Sequence, residues 1–138
     1  MTQSAGQCLC GAVTFTATFA GGDVGVCHCG MCRRWAAGPF FGVTADRLDM
    51  VKDAALGVFV SSDWAERGFC KACGSPLFWR MRDKSMTVVS VNALDAAGPC
   101  KLDHEVFIDE KPAYYSFKEG AHQMTGAQLM AMFAPGKD

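Results

Sequence analysis

The sequence predicts a mainly β protein built from short strands, on three observations. The segment "AVTFTATF" (12–19) sets Val13, Phe15, Ala17 and Phe19 in strict alternation with Thr14, Thr16 and Thr18. That period of two is the mark of a strand with one buried face. Further short apolar runs are separated by turn signals such as "AAGP" at 36–39 and 96–99 and "CGSP" at 73–76. Only the tail is long enough in its pattern to suggest an extended helix.

The elements follow in chain order. "GGD" at 21–23 reads as a turn out of the first strand, and "VGVCHC" (24–29) as the partner it leads to. "FFGVT", "LGVFVSS", "PLFWRMR", "MTVVSVNAL" and "HEVFID" are further strand candidates, while "CRRWAA" and "DWAERG" each suit a helical turn. In the tail "AHQMTGAQLMAMF", Thr125 is a candidate N-cap, with Leu129, Met130 and Phe133 on one side of the helix that follows.

The length of 138 residues favours a single domain spanning 1–138, large enough for an ordinary core. Half the residues are hydrophobic, which argues against disorder. A net charge of −1, with no basic run beyond Arg33-Arg34, leaves out the electrostatic attraction that nucleic-acid binding rests on. "MTQSAGQCLCG" has neither the basic start nor the apolar core of a signal peptide, and no apolar run approaches membrane-helix length. A cytoplasmic protein is therefore expected. In that compartment eight cysteines point to metal ligands before disulfides.

Those cysteines fall into groups. Cys8 and Cys10 form C-x-C before Gly11, Cys27, Cys29 and Cys32 form C-x-C-x-x-C, Cys70 and Cys73 form C-x-x-C before Gly74, and Cys100 stands alone. On an extended strand residues i and i+2 share a face, so each C-x-C can present two sulfurs side by side, with His28 turned away from its neighbours. A C-x-x-C-G turn converges its sulfurs on one metal. Joined, Cys8, Cys10, Cys70 and Cys73 complete a closed tetrahedral site of the structural kind, the alternative being four buried free thiols.

The remaining triplet matches the three protein ligands common in catalytic zinc sites, where the fourth position is kept for water or substrate. Alternatives stand beside it: Cys100 as a closing ligand, an iron–sulfur cluster, or a redox-active set of thiols with pKa values lowered by Arg33 and Arg34. Three thiolates make zinc a weak Lewis acid for hydrolysis but suit an incoming soft thiol. Arg33 and Arg34 are candidates to offset the added charge or to hold a substrate carboxylate, and equally to lie solvated in a turn. His104 and His122 read as packed or surface residues, and Trp35, Trp79, Tyr114 and Tyr115 as core or pocket walls.

The motifs "CLCGAVTF", "CHCGMCRR", "RGFCKACGSPLFWR", "VNALD" and "HEVFIDEKPAYY", in this order over roughly 7–117, resemble the glutathione-dependent formaldehyde-activating enzyme family, also seen in the centromere protein V domain. The resemblance implies a β-tent fold, small antiparallel sheets joined around structural zinc. It implies two zinc ions per chain: a structural one on Cys8, Cys10, Cys70 and Cys73, and a catalytic one on Cys27, Cys29 and Cys32. The implied activity is that of a carbon–sulfur lyase joining glutathione, or another small thiol, to formaldehyde or another small aldehyde. A non-catalytic zinc-binding interaction module on the same scaffold is the competing expectation. "KPAYY" departs from the family's proline–tryptophan pattern, with Tyr114 in the place of the tryptophan.

Overall fold

The computed structural model describes residues 1–118 and 120–133. Its strands are β1 (Thr2–Gln7), β2 (Thr14–Phe19), β3 (Asp23–Cys27), β4 (Phe40–Ala45), β5 (Arg47–Lys52), β6 (Leu56–Val60), β7 (Ala65–Cys70), β8 (Pro76–Met81), β9 (Thr87–Ser90), β10 (Lys101–Val106) and β11 (His122–Met124). A short helix α1 (Gly30–Ala36) lies between β3 and β4, and another, α2 (Gly126–Phe133), follows β11. The protein is mainly β, as its alternating segments predict. Among the described residues, no helix is long and apolar enough to cross a membrane.

The chain forms two compact units, one of residues 1–22 and 42–100, the other of 23–41 and 101–138. In the first, β1, β2 and β5 make a three-stranded antiparallel sheet with β2 central. Phe15, Ala17 and Phe19 of β2 are buried, alternating with half-exposed threonines as the sequence pattern requires. Burying the two phenylalanines contributes roughly 1.5–3 kcal/mol each. A second antiparallel set runs β4-β9-β8-β7-β6 and buries Val43, Leu77, Phe78 and Val89.

Several elements differ from the sequence expectation. "DWAERG" is not a helical turn: Ala65–Cys70 is β7, paired on both sides by β6 and β8. Two ladders outweigh the weak strand propensity of Ala, Glu and Gly. The buried carboxylate this places inside the sheet is satisfied: Arg80 Nε donates to Glu66 Oε2 at 2.8 Å and Lys84 Nζ at 3.3 Å. "MTVVSVNAL" is a strand only to Ser90, after which Val91–Ala93 is a 3₁₀ turn. The strands β1 and β11 carry no clear alternating signal and β5 only the short alternation of Leu48 and Met50, and none of the three is among the sequence expectations.

Burial alone would raise the Glu66 carboxyl pKa, but the hydrogen bonds from Arg80 and Lys84 outweigh it and hold the group below its usual range. A depressed carboxyl pKa stabilises the fold above the unfolded pKa of about 4.3, and that stabilisation fades as pH falls through the folded value. Glu66→Gln is expected to cost about 1–3 kcal/mol at pH 7. In urea unfolding the gap between variant and parent should narrow at pH 3, and a gap independent of pH would contradict the assignment.

In the second unit β3 pairs in parallel with β10, which pairs in parallel with β11. The expected partnership of "VGVCHC" with the first strand is thus replaced: β2 has β1 and β5 beside it. Consecutive glycines at 21 and 22 leave the chain free to depart in any direction instead of folding back. In the tail, His122–Met124 is strand and the helix Gly126–Phe133 follows it. Its start is the one expected. Thr125 Oγ1 accepts from Gln128 N at 3.1 Å and Gln128 Oε1 accepts from Thr125 N at 2.8 Å, a reciprocal capping box. Leu129 is half-buried, whereas Met130 and Phe133 are exposed.

Candidate metal centres

The four paired cysteines and the triplet each come together, one group in each unit. The sulfurs of Cys8, Cys10, Cys70 and Cys73 lie within 4.8 Å of one another. Cys8 and Cys70 are buried, Cys73 is half-buried and Cys10 is exposed. Turns build the group on both sides. Cys70–Gly74 closes with Gly74 N donating to Cys70 O at 2.8 Å, and Cys8–Gly11 closes with Gly11 N donating to Cys8 O at 3.2 Å. Gly74 and Gly11 take φ of 82° and 79°, the left-handed region where a side chain is disfavoured. This corrects the expectation of an extended Cys8–Cys10: β1 ends at Gln7, and it is a turn that aims both sulfurs inward.

Separations of 3.7 Å from Cys8 Sγ to Cys10 Sγ and 3.8 Å from Cys10 Sγ to Cys70 Sγ decide whether a metal fits. A tetrahedron with zinc–sulfur bonds of about 2.3 Å has edges of about 3.8 Å, so the donor set has the size for zinc. The surroundings favour thiolate at Cys8 and Cys73. The Ser75 hydroxyl, 3.2 Å from Cys73 Sγ, brings that thiol down to about 5. Burial and Cys73 resist ionisation of Cys8, but the Val13 N–H at 3.3 Å and the Cys70 and Cys10 sulfurs prevail and lower it. For Cys10, the backbone at Ala12 lowers the pKa, yet Cys8, burial and the other two sulfurs push it up to about 11. Four close thiols cannot all ionise without a cation among them.

The sulfurs of Cys27, Cys29 and Cys32 also lie within 4.8 Å of one another. Cys27 ends β3, Cys29 is the N-cap of α1 in extended conformation (φ −65°, ψ 157°), and Cys32 is buried in the helix. Cys32 N donates to Cys29 Sγ at 3.3 Å. Hydrogen bonding from Cys27 and Cys32 draws the Cys29 thiol down to about 2, and the same sharing with Cys29 and Cys32 holds Cys27 far above its usual value. Three sulfurs this close do not all ionise without a cation among them, so the donor set suits a metal. Among the described residues Cys100 belongs to neither group; its Sγ faces the Ala97 carbonyl at 3.7 Å.

A family model described as glutathione-dependent formaldehyde-activating enzyme matches residues 3–110, which takes in both cysteine groups. The chain belongs to that family. The chain is 30% identical over 132 residues to an uncharacterized lyase of Schizosaccharomyces pombe, covering 94% of this chain and 96% of the relative. A crystal structure of a Rhodobacter sphaeroides protein is similar at 28% identity with a TM-score of 0.58, over 69% of this chain and 91% of that one.

Around the triplet, His28, Gly30 and Arg33 of "CHCGMCRR" are hydrogen-bonded. Arg33 Nε donates to the His28 carbonyl at 2.9 Å, while Arg34 is exposed. Gly30 N donates to Glu110 Oε1 at 2.9 Å. His28, 0% exposed, lies 2.8 Å by Nδ1 from the Tyr115 hydroxyl and 2.8 Å by Nε2 from Glu105 Oε1, and Glu105 is itself 2% exposed. Burial pushes the Tyr115 phenol up, against the opposing charge of Arg33, so it keeps its proton. Sequence reasoning turned His28 away from the cysteines but did not find Glu105 or the role of Tyr115. They lie 77 and 87 residues away, and only the fold joins them. Tyr114, 82% exposed, packs its ring edge-on to Tyr115 with centroids 5.5 Å apart. His104 is bonded to Asp103 at 3.0 Å, and His122 is exposed.

Proposed function

We propose that this protein is a zinc-dependent carbon–sulfur lyase of the glutathione-dependent formaldehyde-activating type, joining a small thiol such as glutathione to formaldehyde or another small aldehyde. The observation that carries the reading is the contrast between two groups: four converging sulfurs in one unit, three in the other. On this reading Cys8, Cys10, Cys70 and Cys73 hold a structural zinc and Cys27, Cys29 and Cys32 a catalytic one, two per chain. Family membership and a relative named as a lyase support it. The protein would work in the cytoplasm, where its thiols stay reduced.

A zinc ion on the triplet would supply a soft, positively charged site at which a thiol loses its proton. The chain's own contribution is placement and charge. Cys27, Cys29 and Cys32 come from one short strand–helix turn, so three donors are fixed by few backbone torsions. Arg33 and Arg34 add positive charge beside a site whose three thiolates are negative, and a guanidinium can hold a carboxylate of a thiol substrate in paired hydrogen bonds. Holding thiol and aldehyde in contact then replaces a bimolecular encounter with a local one.

A second reading, a zinc-binding interaction module, draws support from Val58, Phe59 and Val60 of β6 and the nearby Trp64, all between 44% and 59% exposed. A rate measurement separates the two. Exchange NMR with ¹³C-formaldehyde and glutathione should show S-hydroxymethylglutathione forming faster with the two-zinc protein than without it. If neither glutathione nor other low-molecular-weight thiols react above the spontaneous rate, the enzyme reading fails and the module is left.

A further inference from the structure

We propose that Tyr115, His28 and Glu105 form a positioning device that fixes the directions of the Cys27 and Cys29 sulfurs. The inference rests on the reading of the triplet as a metal site. The arrangement of these groups is an expensive one. An imidazole and a carboxylate are placed where no water reaches, which costs several kcal/mol per group unless each finds a partner. Both are satisfied in one chain. A carboxylate only accepts, so the pattern that satisfies every atom has Nε2–H donating to Glu105 and the Tyr115 hydroxyl donating to Nδ1.

The place of this chain matters more than its strength. His28 follows β3 directly and stands between two ligands whose sulfurs converge, while its own ring is held by Tyr115 and Glu105. Clamping the His28 ring therefore sets the peptide planes on both sides, and with them the directions of both neighbouring Cα–Cβ bonds. The rest of the turn is tied the same way, through residues that alternate with the cysteines. His28 N donates to Val106 O at 3.1 Å, Gly30 N to Glu110 and Arg33 Nε to the His28 carbonyl.

The anchors are themselves secured. Glu105 sits on β10, in register with Val26 of β3. The segment carrying Tyr115 is held by Lys111 Nζ, which donates to the carbonyls of Pro112 and Tyr115. Phe117 stacks on the His28 ring at 5.8 Å and 29°. Supporting contacts that orient ligands are worth about 10–100-fold in metal affinity.

Tyr115→Phe removes one oxygen and keeps the ring. Cobalt affinity is read at each site by chelator competition, with the triplet's bands identified as those absent from Cys29→Ser. The expected result is a loss of about tenfold or more at the triplet, with the four-cysteine site unchanged. Glu105→Ala should lose as much, and Glu105→Gln, which keeps an acceptor opposite Nε2, should recover most of it. These two also decide the matter if Tyr115→Phe does not fold. Equal affinities in Tyr115→Phe, Glu105→Ala and the parent, or equal losses at both sites, would overturn the positioning role while leaving the proposed function standing. A parent protein that takes up cobalt only at the four-cysteine site would overturn both.

Discussion

Cys29→Ser is expected to leave the protein folded and to abolish its reaction, lowering the rate to the spontaneous background. Cys29 is half-buried at the junction of β3 and α1, and an oxygen there can still cap the helix by accepting from Cys32 N. The fold therefore loses at most about 1 kcal/mol, the usual scale of a capping contact. The chemistry loses a soft donor from a set of three, and a serine hydroxyl does not ionise at neutral pH to replace it. Circular dichroism should overlay the parent while the formaldehyde–thiol assay falls to background. A variant that keeps most of its rate would remove Cys29 from the site.

Cys73→Ser should have the opposite outcome, losing the folded state of its unit. The four sulfurs join the turn after β1 to the turn after β7, over 60 positions of sequence. Structural zinc in small sites contributes about 10–16 kcal/mol of apparent folding free energy. Whole domains are stable by only about 5–15 kcal/mol, so a damaged site leaves little in reserve. The expected signs are insolubility on expression, or a melting transition that is broad and much lower. If Cys73→Ser and Cys29→Ser lose stability equally, the division into a structural and a reactive group is wrong.

The two variants rest on what the sequence made legible. Metal-ligand spacing is local information, so both cysteine groups and the family could be read from it. The alternation of Val13, Phe15, Ala17 and Phe19 declared β2 for the same reason. What the sequence hid was set by distant partners. Ala65–Cys70 has the composition of a turn and becomes a strand because β6 and β8 pair with it. Asp23–Cys27 departs from its neighbour in sequence to pair with a strand almost 80 positions later. Glu105 and Tyr115 carry no spacing that ties them to His28. Hydrogen bonds across such separations become visible only once the backbone is placed.

A metal on Cys27, Cys29 and Cys32 is expected to accept a thiol from solution, and cobalt spectroscopy tests this most directly. Fully reduced protein loaded with two cobalt ions should show two sets of tetrahedral bands. Adding glutathione should shift one set, with saturation, and leave the other unmoved; Cys29→Ser should lack the responsive set. Two saturated sites that both ignore glutathione and every other small thiol would contradict the account at its base.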